Sequence, residues 1–136
     1  MTGVWEGQTW LGAASAFLID GGAAVDTLFV FGSRPIGGND EAVQLRIILH
    51  GPGPYDLDAG DARLDELIGG DVVSASYQTA QPGAGHVILS SFSGGGEIVE
   101  GTFRFEARTT SPYGSYGTTG RFEEGQFSAK VQVPRP

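Results

Sequence analysis

The chain has 136 residues, 16 of them acidic and 8 basic, so it carries a formal net charge of −8 at pH 7. This charge repels phosphate backbones and anionic lipid headgroups, which argues against nucleic acid or a membrane surface as a partner. The length fits a single domain over residues 1–136. The absence of cysteine excludes disulfides, thiolate nucleophiles and cysteine-ligated zinc.

Most segments alternate apolar and polar residues, which predicts strands with one face on a core. Glycine accounts for 23 of the 136 residues, a larger share than the roughly 7% of average domains, and this predicts many turns. Turn sequences begin at Asp20, Arg34, Gly51, Gln81 and Ser93. The strands that they separate cover residues 4–12, 15–20, 27–33, 44–50, 71–79, 85–92, 97–107 and 123–133. This order predicts one all-β domain, an antiparallel barrel or strongly curved sandwich of about eight strands.

One short segment has helical spacing. In DARLDELI, residues 61–68, Leu64, Leu67 and Ile68 stand at i, i+3 and i+4 behind a candidate cap at Asp61. A helix this short needs support from packing. The segment therefore predicts at most one short helix, with a poorly patterned strand as the alternative.

The last two strands have the clearest faces. In EIVEGTFRFEA the inward set is Val99, Phe103, Phe105 and Ala107. Gly101 falls on the same face, where a glycine leaves room for a neighbouring ring or marks a bend. In EEGQFSAKVQV the inward set is Phe127, Ala129, Val131 and Val133.

The acidic run YDLDAGDARLDE offers weak candidates for a calcium site at Asp56, Asp58 and Asp61. An EF-hand that starts at Asp56 would need glycine where Asp61 stands and glutamate where Leu67 stands, so the EF-hand is excluded. An irregular site and a solvated acidic turn both stay open. No cofactor is predicted.

Catalytic motifs are absent from the sequence. It contains no G-x-S-x-G elbow, no Walker loop and no G-x-G-x-x-G. His50 and His86 are the two imidazoles, and each lies on the polar side of its strand. An enzyme that uses a carboxylate or His86 as acid or base is the third-ranked hypothesis.

Two groups of aromatic residues suggest binding. The loop TTSPYGSYGTTG combines Tyr113 and Tyr116 with Gly and Ser, a composition typical of adaptable binding loops, although a flexible hairpin loop is the simpler interpretation. If the sheet closes into a barrel, Trp10, Phe103 and Phe105 either pack the core or line a cavity for a small apolar ligand.

The order of these segments resembles a family of uncharacterised, small all-β domains of exported bacterial proteins. The resemblance rests on a G-T-F-x-F-x-A strand and a closing G-x-F strand, here Gly101, Thr102, Phe103, Phe105, Ala107, Gly125 and Phe127. It implies a lipocalin-like fold, an extracytoplasmic location and no catalytic residues to transfer.

The opening MTGVWEGQTW carries neither a signal segment nor a lipobox cysteine, and no apolar run approaches the roughly 20 residues of a membrane span. We expect no membrane insertion by this chain. A trimmed export signal would leave the same sequence, so the extracytoplasmic and the cytoplasmic locations both stay open.

The leading functional prediction is a non-enzymatic binding or accessory module. It would bind a small apolar ligand in the barrel or a protein partner through the Tyr-rich loop. The alternative is a structural or protein-interaction domain that acts through a sheet face or edge.

Overall fold

The computed structural model describes residues 1–19, 26–50, 53–69, 72–91 and 97–132. These residues form an all-β structure, which confirms the predicted fold class. Within them the strands are β1 (Thr2–Trp5), β2 (Gln8–Leu11), β3 (Ala13–Ile19), β4 (Thr27–Ile36), β5 (Asn39–Ile48), β6 (Gly53–Leu57), β7 (Ala62–Ile68), β8 (Val72–Gln78), β9 (Gly85–Ser91), β10 (Ile98–Arg108) and β11 (Thr119–Gln132). The predicted turns at Asp20 and Ser93, and the inward position of Val133, lie outside the described ranges.

All eleven described strands belong to one sheet, in the order β2-β1-β11-β3-β4-β5-β7-β8-β10-β9-β6. A further pairing joins β10 to β11 along most of their length. The pairings that run from β11 through β3, β4, β5, β7, β8 and β10 therefore return to β11. All are antiparallel except β3 with β11.

The predicted count of about eight strands is wrong, because the described residues form eleven. The three additional strands come from the division of residues 4–12, from β6 and from β7. Residues 4–12 form β1 and β2 because Glu6 and Gly7 adopt left-handed φ angles of 47° and 79° and turn the chain back. The predicted turn at Gly51 lies outside the described residues, and β6, which was not predicted, starts at Gly53 and contains Pro54. Proline is tolerated there because β6 is an edge strand that pairs with β9.

Of the two alternatives for residues 61–68, the short helix is wrong and the poorly patterned strand is confirmed, since Ala62–Ile68 form β7. Leu64 is buried and pairs with Val43 of β5 and Tyr77 of β8. A register shift between Glu66 and Leu67 makes Ser74 of β8 the extra residue of a bulge. Leu67 is only partly buried and Ile68 is exposed, so the three apolar residues with helical spacing do not share one buried face.

The core contains the faces predicted for β10 and β11. Burial alternates without interruption through β10, and in β11 it shifts phase at Glu123 and Glu124. Gly101 leaves room for a ring as predicted, because a Cβ there would lie 2.7 Å from Cζ of Phe127. Within the described ranges, no helix has the length and apolar character needed to span a membrane.

Candidate functional site

The Tyr-rich loop between β10 and β11 is attached to the β7–β8 hairpin by hydrogen bonds. The Ser111 hydroxyl donates to the Ser74 carbonyl at 3.0 Å. The backbone N–H and hydroxyl of Ser115 donate to the Glu66 carboxylate at 2.9 and 2.8 Å. These contacts hold the loop in one arrangement, in which the Tyr113 side chain is 77% exposed.

Tyr116 points in the opposite sense, towards the buried carboxylate of Glu41. The Tyr116 hydroxyl donates to Glu41, which also accepts from Trp10 Nε1 at 3.2 Å and pairs with Arg34 Nη2 at 2.7 Å. Glu41 is 2% exposed. Burial raises the pKa of Tyr116 well above its ordinary value, and the hydrogen bond to Glu41 raises it further.

Tyr77 of β8 fixes the backbone of the same loop. Its hydroxyl donates to the Gly117 carbonyl at 2.7 Å and accepts from the Tyr116 N–H at 3.0 Å. Burial is the main cause that raises the pKa of Tyr77. The rings of Tyr77 and Tyr116 both pack edge-on against Trp5, so this end of the sheet is closed by packed aromatic rings.

Glu41 was missed by the sequence analysis, although the sequence contains a signal for it. The alternation of Leu45 and Ile47 extends back through Val43 to Glu41, which places a carboxylate on an apolar face. Such a residue is buried only with a partner. The partner is Arg34 on the neighbouring strand. The hairpin between β4 and β5 places Arg34 directly opposite Glu41.

The remaining predicted aromatic residues are part of the core. Trp10, Phe103 and Phe105 are at most 4% exposed. The rings of Phe103 and Phe105 lie 4.9 and 5.6 Å from that of Phe122. The structure therefore joins Trp10 to Tyr116 through Glu41, and it places Tyr113 apart from all of them. A role for these five residues in binding stays a prediction.

The acidic candidates separate into two groups. Asp56 lies 2.6 Å from Nδ1 of His86, whereas Asp61 accepts from Arg46 at 3.1 Å and from the Asp58 N–H at 3.0 Å. His50 stacks on Tyr55, with ring centroids 4.1 Å apart. Across the residues that the structure describes, no three His, Asp or Glu side chains are grouped to hold a metal ion.

An apolar surface lies on the outer side of β3, β4 and β5, and we call it the phenylalanine face. Strand pairing sets its three rows, which are Ile19, Thr27 and Ile48, then Phe17, Phe29 and Arg46, then Ser15, Phe31 and Gln44. The three phenylalanines are half-buried and contact one another, whereas Ile19 and Ile48 are each 44% exposed. Phe29 and Phe31 alternate with the buried Leu28 and Val30 along β4, and Phe17 follows the buried Ala16 along β3, so all three face outward.

Comparison with known proteins gives a family match. No curated protein and no solved structure matched the chain significantly. A family model described as "Domain of unknown function (DUF6252)" matches residues 1–132. The match covers nearly the whole chain and agrees with the predicted resemblance to an uncharacterised domain family. The chain therefore belongs to the DUF6252 family.

Proposed function

We propose that the protein is a non-enzymatic interaction module that associates with a second copy of itself through the phenylalanine face. The observation that carries this proposal is the outward position of Phe17, Phe29 and Phe31, flanked by Ile19 and Ile48. The sheet that supports them is proposed to be a closed, lipocalin-like barrel, since its pairings return to β11.

A contiguous outward patch of this composition is unusual on a monomer. Single exposed apolar residues are normal, but grouped aromatic and branched side chains are typical of interaction surfaces. Aromatic residues and arginine are enriched in the centres of interfaces, and Arg46 lies beside Phe29 in the same row.

Charge allows a second copy to approach at this face and disfavours its approach elsewhere. The protein carries a net charge of −8, so two copies repel through most of their surface. In the phenylalanine face the only charged residue of the nine is Arg46, whose charge is offset by Asp61 at 3.1 Å. This face therefore offers an approach without net charge, and a two-fold dimer with sheets packed about 10 Å apart would cover it.

The test is the molar mass in solution, measured by light scattering after gel filtration from about 10 µM to about 500 µM protein. We expect a reversible dimer that Ile48→Lys abolishes, because a lysine there brings a positive charge into an apolar contact. Leu11→Lys is the matched control, since Leu11 is 62% exposed on β2 and lies outside the phenylalanine face.

A wild-type protein that stays monomeric over the whole range would refute the proposal. A dimer that Leu11→Lys weakens as much as Ile48→Lys would also refute it. Circular dichroism of each variant establishes that both are folded.

The Tyr-rich loop supports a second candidate, a contact with a different protein. Its hydrogen bonds to Ser74 and Glu66 fix the loop before binding, and little entropy is then lost when Tyr113 is covered. The adjoining β7–β8 hairpin adds apolar side chains that are more than half exposed, namely Ile68, Val72 and Val73.

A photoreactive phenylalanine analogue at position 113, compared with one at position 48, separates the two candidates. Crosslinking from position 113 to one defined protein other than this chain supports the loop. Crosslinking from position 48 to a second copy supports the phenylalanine face. Absence of any crosslink from position 113 in the presence of source proteins argues against the loop.

A further inference from the structure

An open groove of about 650 Å³ crosses the outer side of the sheet at β2, β1, β11, β10 and β9. Its walls carry hydroxyl groups of Thr2, Thr9 and Thr102, and two apolar side chains, Val4 and Ile88. The volume lies in the range of roughly 300–1,000 Å³ that small-molecule sites occupy. The groove shares no residue with the phenylalanine face or the Tyr-rich loop.

The groove coincides with a bulge in β11. Phe103 pairs with Gly125 and Phe105 with Phe122, so Glu123 and Glu124 together oppose Arg104. Glu124 adopts a left-handed φ of 53°, a backbone conformation that residues with a side chain rarely adopt. A bulge bends its strand, and β1 shows a matching register shift between Thr2 and Val4. The bulge therefore accounts for a concave surface at this place.

Arg104 lies in the groove without an acidic partner. Elsewhere in the described ranges, four arginines form ion pairs with carboxylates, namely Arg34, Arg46, Arg63 and Arg121. The Arg104 side chain forms no ion pair or hydrogen bond among those residues, as is also true of the exposed Arg108, although Glu123 and Glu124 oppose Arg104 across the strand pair. In a chain with twice as many acidic as basic residues, such an arginine is available to an anionic ligand.

His86 stands next to Arg104 on the neighbouring strand. The two residues are direct partners in the pairing of β9 with β10. Asp56 of β6 holds the imidazole at 2.6 Å. The groove thus places a guanidinium and a positioned imidazole side by side, with the Gln126 amide and the threonine hydroxyls around them.

We propose that this groove binds a small hydroxylated carboxylate of the sugar-acid class. Arg104 receives the carboxylate through paired N–H donors, the geometry that guanidinium groups favour. The threonine hydroxyls, Gln126 and Glu124 exchange hydrogen bonds with the ligand hydroxyls. Val4 and Ile88 pack against the apolar face of the sugar ring.

The experiment is a titration of the isotopically labelled full chain with D-glucuronate up to about 20 mM, followed by the backbone amide shifts. We expect saturable shifts at residues 102–104 and 124–126, and at least a tenfold weaker affinity in Arg104→Gln. Arg108→Gln is the matched control, because Arg108 is exposed on the same strand and lies outside the groove. D-glucose, which lacks the carboxylate, is expected to bind at least tenfold more weakly.

Three results would overturn the proposal. The first is the absence of saturable shifts at the groove in the wild-type protein. The second is an equal loss of affinity in Arg104→Gln and Arg108→Gln, which would indicate attraction by net charge alone. The third is equal affinity for D-glucose, which would remove the carboxylate from recognition.

Discussion

At Glu41 the chain buries a carboxylate among a guanidinium, an indole and a phenol. The side chain of Glu41 is 3% exposed and that of Arg34 is 15% exposed, so water does little to screen the pair. Arg34 also lies over the ring of Trp10, 5.3 Å from its centroid. Loss of Glu41 leaves the guanidinium, the indole N–H and the phenol without their shared acceptor, where little water can replace it.

Glu41→Ala is therefore expected to lower the free energy of unfolding by about 3 kcal/mol, since it leaves a largely buried arginine without its counter-charge. Denaturant unfolding measures this value. Glu106→Ala is the control, because its pair with Arg121 at 3.0 Å has both side chains more than half exposed and contributes at most about 1 kcal/mol. Equal losses in the two variants would contradict the role assigned to burial.

Tyr116 makes stability depend on pH in the alkaline range. Burial raises its pKa above the ordinary value of 10.0, so the folded state retains a proton that the unfolded state loses. This contribution to stability is complete below pH 10 and decreases as the pH rises further. Tyr77 acts in the same direction, because burial raises its pKa too.

The variant Tyr116→Phe is expected to make the fall in unfolding free energy between about pH 10 and about pH 11 shallower than in the wild-type protein. Urea unfolding at several pH values measures the slope. The decline is reduced but not abolished, since Tyr77 still contributes. A slope identical to that of the wild-type protein would show that Tyr116 does not titrate with unfolding.

At the scale of the element, regular alternation made β10 and the second half of β11 predictable. The buried faces of these strands follow directly from the period of two. Irregularities made the other elements difficult to predict. The helical spacing of Leu64, Leu67 and Ile68 obscured β7, the Glu6–Gly7 turn divided one apparent strand, and Pro54 obscured an edge strand. In each case the period of the side chains did not report the backbone geometry.

Gly101 tests the packing between elements. A methyl group there would lie 2.7 Å from Cζ of Phe127 and 2.7 Å from the carbonyl oxygen of Ile88. Because the second contact is with backbone, β9 must shift, and we expect Gly101→Ala to cost about 1–3 kcal/mol in thermal or denaturant unfolding. Thr102→Ala, at the next and outward position, is the control. It should cost under about 1 kcal/mol, and a larger loss than at Gly101 would contradict this account.

At the scale of the whole molecule, strands far apart in sequence are joined. Trp5 in β1 pairs with Phe122 in β11, and β3 also contacts β11. This long-range order explains why the site was only partly predictable. Tyr113 and Tyr116 were identified from local composition, whereas Glu41, Arg104 and the phenylalanine face depend on which strands are neighbours.

Such pairing between distant segments predicts slow folding, with relaxation times of ~1 ms to ~1 s in stopped-flow refolding. Trp5 and Trp10 are both fully buried and give a fluorescence signal for the reaction. A relaxation that is complete within ~10 µs would contradict the prediction.

Arg34 connects the interior to the edge of the sheet. Besides its contact with Glu41, its Nη1 donates to the Thr9 carbonyl of β2 at 3.2 Å, and β2 ends the strand order. Unpaired backbone groups on an edge strand can pair with another chain. A change at Arg34 is therefore expected to free the Thr9 carbonyl at this edge as well as to weaken the fold.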